Sequence, residues 1–324
     1  METRRSFLKK SAVTCAALSV PSCSIGHAKR TFGPLKTQQP RNAVVLWYSQ
    51  TGHTRRIGRL IAQVWEKSGL KVDGSDIREI DHSSIDRYDL IAMGTPVNYY
   101  DVPENAKDWI RSIPSIKGTP VASFVTFGGI GGNQHNTACT LLELLADKGG
   151  IPVGMEVFGN MSTFAITWSI GNEERILKYR QLPNEGTYRK ARQYARDLLE
   201  RVQNDNTFEI DWELSFEDIL KHLPVAWSTK LLIGKHTIGK DRCIGCGTCV
   251  EKCPVGAIDL SLYRVDTDRC IACLGCINNC PVQAIEMEFM GKKVYGFQEF
   301  MKRHGIAIKE PGELKPDHSN HNGR

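Results

Sequence analysis

The sequence lacks the charge pattern of a nucleic-acid-binding protein. Its formal net charge at pH 7 is only +6, and four basic residues with Glu2 in the first 28 positions account for +3 of it. The remaining Lys and Arg residues form no long stripe, and no nucleic-acid-binding motif is present. We therefore expect no nucleic-acid partner.

Long apolar runs are also missing. Residues 12–20 are apolar, but a transmembrane helix needs about 20 such residues, so we expect no transmembrane span. The glycines of residues 128–133 do not have the G-x-G-x-x-G spacing of a dinucleotide-binding loop. No catalytic acid or base stands out, so the sequence predicts no catalytic residue.

Cysteine is abundant instead. Eight of the 11 cysteines fall into two copies of C-x2-C-x2-C-x3-C-P, which end at Pro254 and Pro281. Zinc ribbons use two cysteine pairs rather than two quartets, and disulfides rarely repeat at such short intervals. Soft thiolate ligands suit iron–sulfur clusters. The spacing is that of the bacterial two-cluster ferredoxins and predicts two [4Fe–4S] clusters.

The resemblance to bacterial ferredoxins covers residues 236–290. In that family three cysteines of a run share one cluster, and the fourth ligates the other cluster. The resemblance therefore implies two ligand sets, which we number by their first cysteine. The first set is Cys243, Cys246, Cys249 and Cys280, and the second set is Cys253, Cys270, Cys273 and Cys276. We expect so small a domain to depend on its clusters for stability.

The N-terminus resembles a twin-arginine export signal. Arg4 and Arg5 lie in Thr-Arg-Arg-Ser-Phe-Leu-Lys, a short apolar stretch follows, and small residues precede a cleavage site after Ala28. Residues 1–28 are thus a predicted signal peptide, which implies a periplasmic or extracytoplasmic location. A short surface helix is the plainer alternative. Lipidation of Cys23 is a further alternative, although Pro21 fits a lipidation motif poorly.

This export route agrees with the cluster prediction. The twin-arginine pathway carries folded proteins, so cofactors inserted in the cytoplasm travel with the chain. Cluster assembly needs reduced thiolates, whereas an oxidising compartment favours disulfides. A chain with eight cluster ligands therefore has a physical reason to fold before export.

Alternating strands and helices are predicted between residues 42 and 204, after a linker at residues 29–41. Residues 43–48 form a continuous apolar run, as in a strand buried on both faces. Four further strands are predicted near residues 71–76, 88–94, 121–127 and 151–158, with helices between most of them. This alternation indicates an α/β fold with a doubly wound, five-stranded parallel sheet. Ligands of such sheets bind at the carboxyl ends of the strands.

The hydroxyl-rich loop after the first strand resembles the phosphate-binding loop of flavodoxins, and the resemblance covers residues 42–204. Backbone N–H groups and hydroxyls at a helix N-terminus suit an anion. The resemblance implies an FMN site, with the phosphate held by Ser49, Thr51, Gly52, His53 and Thr54. The loops implied to flank the flavin ring carry Thr95, Pro96, Asn98, Tyr99 and Tyr100, and Phe127, Gly128, Gly129 and Gly131.

Plainer structural roles exist for several of these residues. Thr54 is a good helix N-cap whatever binds nearby. Tyr99 and Tyr100 are either flavin-stacking residues or ordinary surface aromatics, and the glycine run is either a flavin contact or a flexible turn. Cys139 lies in an apolar helical context and is predicted to be a buried thiol.

Three connecting segments complete the chain. Residues 159–186 are too long for a tight loop and either cover the flavin, dock the second domain or are disordered. Residues 205–235 are a predicted linker between the two domains. Residues 291–324 are a predicted polar C-terminal tail.

The domain order resembles the flavodoxin–ferredoxin fusion proteins of anaerobic bacteria. The resemblance implies an electron carrier that passes electrons between FMN and two [4Fe–4S] clusters, with a redox protein or a membrane electron-transfer complex as partner. A flavin-dependent reductase of a quinone, a metal or a small organic acceptor is the main alternative. A cluster-binding module without flavin is the other.

Overall fold

The computed structural model describes residues 31–129, 132–223 and 225–312. From Phe32 onward these residues belong to one compact unit. The predicted signal peptide, including Cys23 and Ala28, lies outside the described residues, as does the predicted FMN contact Gly131. Within the described ranges, no helix combines the length and apolar character needed to cross a membrane.

Strands and helices alternate through the first part of the chain. The elements are β1 (Asn42–Trp47), α1 (His53–Lys67), β2 (Lys71–Asp76), a 3-10 helix (His82–Arg87), β3 (Leu90–Pro96), α2 (Glu104–Ser112), β4 (Pro120–Phe127), α3 (Gln134–Asp147), β5 (Ile151–Gly159), α4 (Ala165–Ser169), α5 (Glu173–Leu177) and α6 (Glu185–Gln203). The five strands pair in parallel in the order β2-β1-β3-β4-β5. This is the flavodoxin-like strand order, so the predicted fold class is confirmed.

Helices cover both faces of this sheet, which is why its central strands read as continuous apolar runs. On one face, side chains of α1 and α6 such as Trp65 and Leu198 pack against β1 and β3. On the other face, α2 and α3 contribute Ile110 and Leu141 to a second cluster. β2 is an edge strand and is mostly exposed or half-buried, which explains why its sequence is the most polar of the five.

The direction in which strands are added to the sheet reverses between β1 and β3. The carboxyl ends of these two strands lie side by side. All five strands are parallel, so the loops after β1, β3, β4 and β5 meet there. Open α/β sheets bind ligands at this switch point. The fold therefore places the predicted phosphate loop and the predicted flavin-flanking loops side by side.

The second part of the chain forms a smaller mixed domain. Its elements, preceded by the connecting helices α7 (Phe216–Leu220) and α8 (Val225–Leu232), are β6 (Ile233–Ile238), α9 (Thr248–Glu251), β7 (Ile258–Asp259), β8 (Arg264–Val265), α10 (Gly275–Asn279), β9 (Ile285–Phe289), β10 (Lys292–Val294) and α11 (Phe297–Arg303). The strands form one antiparallel sheet in the order β10-β9-β6-β8-β7. This agrees with the small α+β ferredoxin domain that the sequence predicts.

The structure differs from the sequence analysis at the C-terminal side of this domain. Residues 292–303, which we predicted as the start of a polar tail, form β10 and α11 instead. Phe297 and Phe300 are buried there. A helix of 7 residues shows too little periodicity to be recognised beside so many polar neighbours, whereas burial of two phenyl rings stabilises it in the fold.

The long segment after β5 joins the two parts of the chain. Trp168 is buried, its indole N–H donates to the carbonyl of Tyr295 at 2.9 Å, and its ring lies 4.6 Å from that of Phe300. Asn278 donates through Nδ2 to the carbonyl of Thr163 at 2.9 Å. Of the alternatives left open for residues 159–186, docking of the second domain is therefore observed.

Candidate functional site

The loop between β1 and α1 presents the N-terminus of a helix to the sheet edge. Gly52 is the N-cap of α1 and takes a left-handed conformation with φ 91°, which favours glycine. Gly52 contributes no side-chain cap, and its own N–H donates to Ser49 Oγ at 3.1 Å. Backbone N–H groups of the first helical turn have no partner within a helix, so they suit an anion here.

Thr54 does not cap this helix. Its hydroxyl shares a hydrogen bond of 2.8 Å with the hydroxyl of Thr126, at the end of β4. That bond ties the start of α1 to the neighbouring strand. The prediction that Thr54 is the N-cap is thus wrong. Thr54 lies near the carboxyl ends of β1 and β4, where a cofactor-binding loop is expected.

His53 is buried with both ring nitrogens lacking a hydrogen-bond partner among the described residues. Its ring contacts Phe297 edge-on, with 5.9 Å between ring centroids. Burial, and secondarily the charge of Arg56, lower the pKa of His53 to about 3. His53 is therefore neutral near pH 7 and keeps one N–H group to offer a bound ligand.

We expect this histidine to make the protein acid-sensitive. The folded pKa lies below the ordinary value of 6.5, so the unfolded state binds the extra proton first and stability falls as the pH falls from 6.5 toward 3. Between about pH 6 and pH 4, both proteins should lose stability. The loss in the free energy of unfolding should be about 2 kcal/mol smaller in His53→Asn than in the original chain. Denaturant unfolding at several pH values measures this. The same change at exposed His82 is the control, and equal pH profiles for His53→Asn and the original chain would contradict the prediction.

A cavity lies where the four loops meet. Its volume is about 100 Å³. The predicted FMN contacts that line it are Ser49, Thr51, His53, Thr54, Pro96, Asn98, Phe127 and Gly128. The structure thus brings phosphate-loop residues and flavin-flanking residues to one site.

The other predicted FMN contacts among the described residues do not line this cavity. Gly52 and Gly129 lie in the adjoining backbone, and the hydroxyl of buried Thr95 lacks a partner within the described part of the chain. Tyr99 instead donates its hydroxyl to the carbonyl of Ala272 at 3.0 Å, and the carbonyl of Tyr100 accepts from Asn133 Nδ2 at 2.8 Å.

Several lining residues were missed by sequence reasoning. Asn160, Ser162, Thr163 and Phe164 follow β5, and the rule that ligands bind at strand carboxyl ends would have found them. A Cβ on Gly128 would lie 2.2 Å from the Cα of Ser162, so glycine is needed where these two loops approach. The aromatic rings in the lining are those of Tyr48, Phe127 and Phe164 rather than Tyr99 or Tyr100.

The two cysteine runs have the same local structure. Corresponding cysteines are 27 positions apart, as from 243 to 270. Left-handed residues recur at the same offset, as the pairs Gly245 and Ala272, Gly247 and Leu274, and Gly256 and Gln283. In both runs a backbone N–H donates to the fourth sulfur at 3.1 Å, from Ala257 to Cys253 and from Ala284 to Cys280. Such N–H···S bonds are typical of iron–sulfur sites.

The fold places the four cysteines of the second predicted set near one another, and likewise Cys243, Cys249 and Cys280 of the first. Burial raises the pKa of Cys276, and the nearby thiols of Cys273, Cys270 and Cys253 raise it further. Burial also raises the pKa of Cys249, and the thiols of Cys280 and Cys243 raise it further. In both cases the contributing cysteines come from both runs, which is the pattern of the two predicted ligand sets.

The ligands of a four-iron cluster differ in placement from those of a single metal ion. Within the described ranges, no group of three or more His, Cys, Asp or Glu side chains is placed to hold a single metal ion. A four-iron cluster holds each thiolate on a different iron, so its ligands stand further apart. Burial raises the pKa of Cys273 to about 12, so this thiol needs positive charge nearby to ionise, which iron would supply.

Comparison with known families locates a 4Fe-4S domain in the second part of the chain. Residues 236–259 and 263–286 each match the 4Fe-4S binding domain family. No curated protein matches the sequence at a significant level.

Similar solved structures cover the first part of the chain. Oxidised flavodoxin 1 from Bacillus cereus is 18% identical, with 49% of this chain and 97% of that chain covered and a TM-score of 0.38. The two-electron reduced flavodoxin of Megasphaera elsdenii is 15% identical, with coverages of 49% and 98% and a TM-score of 0.37. Rubredoxin oxygen:oxidoreductase from Desulfovibrio gigas is 16% identical, with coverages of 52% and 38% and a TM-score of 0.38.

Strand order and the two family matches together define the class of protein. The chain is a fusion of a flavodoxin-like domain with a 4Fe-4S ferredoxin domain. Iron–sulfur domains of this kind exchange single electrons. The chain is accordingly an electron-transfer protein.

Proposed function

We propose that this protein is an exported electron carrier that passes electrons between FMN and two [4Fe–4S] clusters. One observation carries the proposal: Cys273, a predicted cluster ligand, lines the same cavity as the predicted phosphate-loop residues Ser49, Thr51 and Thr54. The two cofactor sites are therefore adjacent in one chain.

The residues around the cavity fit an FMN molecule. The uncapped first turn of α1 offers N–H groups to a phosphate, and the hydroxyl of Thr51 lies in the same lining. Phe164 and Tyr48 supply aromatic surface for a flavin ring. When bound, FMN exchanges one or two electrons, whereas each cluster exchanges one. A chain with both cofactors can therefore connect a two-electron reaction with one-electron transfers.

The two ligand sets lie differently relative to the cavity. Cys273 of the second set lines the cavity, whereas Cys246 of the first set is exposed. We infer that the second set holds the cluster nearer to the flavin and that the first set holds the cluster nearer to an external redox partner. That partner is a redox protein or a membrane electron-transfer complex.

The small volume of the cavity favours a carrier over a reductase. A reductase of a quinone or a small organic molecule needs open space above the flavin for its substrate. Here the cavity measures only about 100 Å³, and Cys273 of the second domain and Phe164 share its lining with the phosphate loop. A carrier needs only an electron path, which the adjacent cysteine provides.

Export belongs to the same proposal. The twin-arginine pattern of residues 3–9 and the need to assemble clusters before meeting an oxidising compartment both support it. Fractionation of the native host, with mass determination of the mature N-terminus, distinguishes cleavage after Ala28 from lipidation of Cys23. A full-length chain confined to the cytoplasm would contradict the export.

The cofactor content is tested by anaerobic purification. We expect one flavin and about eight iron atoms per chain, as two four-iron clusters require. A redox titration that follows flavin absorbance and the cluster signals together should show all three centres exchanging electrons. Protein that holds iron but no flavin after incubation with FMN would contradict the electron carrier in the form proposed.

A charge placed in the phosphate loop should weaken FMN binding. In Thr51→Asp, a carboxylate takes the place of a hydroxyl beside the predicted phosphate, and like charges repel. We expect the Kd for FMN to rise by about 10- to 100-fold. Fluorescence quenching of FMN by the flavin-free protein measures this. Thr51→Ser keeps the hydroxyl and is the control, so an unchanged affinity in both variants would place the phosphate elsewhere.

A further inference from the structure

Gln50 connects the phosphate loop with the ferredoxin domain. Its Nε2 donates to Cys273 Sγ at 3.3 Å and also to the hydroxyl of Tyr48. Its side chain lines the candidate flavin cavity together with Cys273. The backbone carbonyl of Gln50 accepts from Asn279 Nδ2 at 3.1 Å. One residue of the flavodoxin-like domain thus reaches both the flavin site and a predicted cluster ligand.

The chemistry of the sulfur fixes the orientation of this amide. A thiolate that ligates iron only accepts hydrogen bonds, so the nitrogen of Gln50 must face Cys273 and the oxygen must face away. That oxygen is buried and, within the described residues, has no partner. The space is shaped for the amide, because a Cβ on Gly275 would overlap the Gln50 side chain.

We propose that Gln50 is a positioning residue that couples the flavin site to the cluster of the second ligand set. The inference rests on the proposed function. Through its bond to Cys273 Sγ, Gln50 stabilises the reduced state of that cluster, because a donor to sulfur favours the added negative charge. Transfer between the two centres moves one electron from one to the other, and no covalent bond forms or breaks.

The first ligand set offers a matched comparison. The hydroxyl of Thr248 lies 3.4 Å from Cys246 Sγ, so this set also has a side-chain hydrogen bond to one of its sulfurs. Cys246 is exposed and does not line the cavity in the described structure. Loss of the Thr248 hydroxyl should therefore affect only the cluster that lies away from the flavin.

The test compares Gln50→Leu and Thr248→Val in the full chain with both cofactors bound. Redox titrations monitored by electron paramagnetic resonance report the two clusters, and Cys276→Ala identifies the signal of the second set. In Gln50→Leu we expect the reduction equilibrium constant of the second-set cluster to fall by about tenfold, or about 59 mV for one electron. Thr248→Val should shift the other cluster instead. Gln50→Glu, which cannot donate and adds a negative charge, should lower the second-set potential further.

The outcomes separate the inference from the function on which it rests. An original chain without flavin or without clusters would overturn both. If both cofactors bind but Gln50→Leu shifts neither cluster, or shifts the same cluster as Thr248→Val, the inference is wrong and the electron carrier stands. Should Gln50→Leu fail to fold, Gln50→Glu has the same size and decides the question by the same titration.

Discussion

Cys276→Ala should lose one cluster and keep the other. This cysteine is buried among Cys273, Cys270 and Cys253, the other members of its predicted set. With three thiolates left, that set cannot complete a four-cysteine site, so the iron content per chain should fall to about half. FMN should remain bound, because the flavodoxin-like part has its own hydrophobic cores on the two faces of its sheet. Iron analysis and flavin absorbance on the same sample measure both quantities.

Cys139→Ala is the matched control for this experiment. Cys139 is also buried, but it lies in α3 with its sulfur 3.3 Å from the carbonyl of Asp211, remote from both runs in the sequence. Its removal should leave the iron content unchanged. Unchanged iron in Cys276→Ala would exclude this residue as a ligand. Loss of flavin together with iron would show that the two domains fold as one unit.

Trp168→Ala should be the most destabilising single change outside the cofactor sites. The side chain is 1% exposed, and its ring packs against those of Phe297 and Phe300 where the two parts of the chain meet. Truncation leaves a cavity and an unpaired carbonyl at Tyr295. Substitutions of this kind cost about 3–5 kcal/mol. Denaturant unfolding measures the loss of stability. It should be followed both by circular dichroism and by cluster absorbance, because the two domains need not unfold in one transition.

Trp227→Ala provides the comparison for Trp168→Ala. Trp227 is 60% exposed on α8, and removal of an exposed side chain changes stability by about 0.5 kcal/mol or less. Equal losses in the two variants would mean that the packing of Trp168 does not hold the domains together. A loss in Trp168→Ala that cluster absorbance alone detects would confine the effect to the ferredoxin domain.

Local patterns in the sequence were sufficient for much of the fold. The apolar run of residues 43–48 predicts a strand buried on both faces, and even the polar strand at residues 71–76 is found as predicted. These predictions succeed because strand burial and the spacing of cysteines are properties of short segments. The same rule of strand carboxyl ends gives the place of the cavity, although for the segment after β5 it named no individual contact residues.

Contacts between distant segments could not be predicted in this way. No local pattern predicts that the hydroxyl of Tyr99 donates to the carbonyl of Ala272 in the other domain. The short helix at residues 297–303 is stabilised by burial of Phe297 and Phe300 near Trp168 rather than by its own periodicity. Gln50 gave no sign of its bond to Cys273, since the two are 223 positions apart.

The sequence by itself determined the class of chemistry, because eight cysteines at two repeated spacings leave few ligands other than iron–sulfur clusters. It also determined the doubly wound sheet, because alternating apolar runs and amphipathic helices have few other solutions. Only the tertiary structure decided which cysteine meets the candidate flavin cavity and which is exposed. That depends on how two domains dock, and docking is set by the shapes of surfaces such as those around Trp168 and Gly275 rather than by any local pattern.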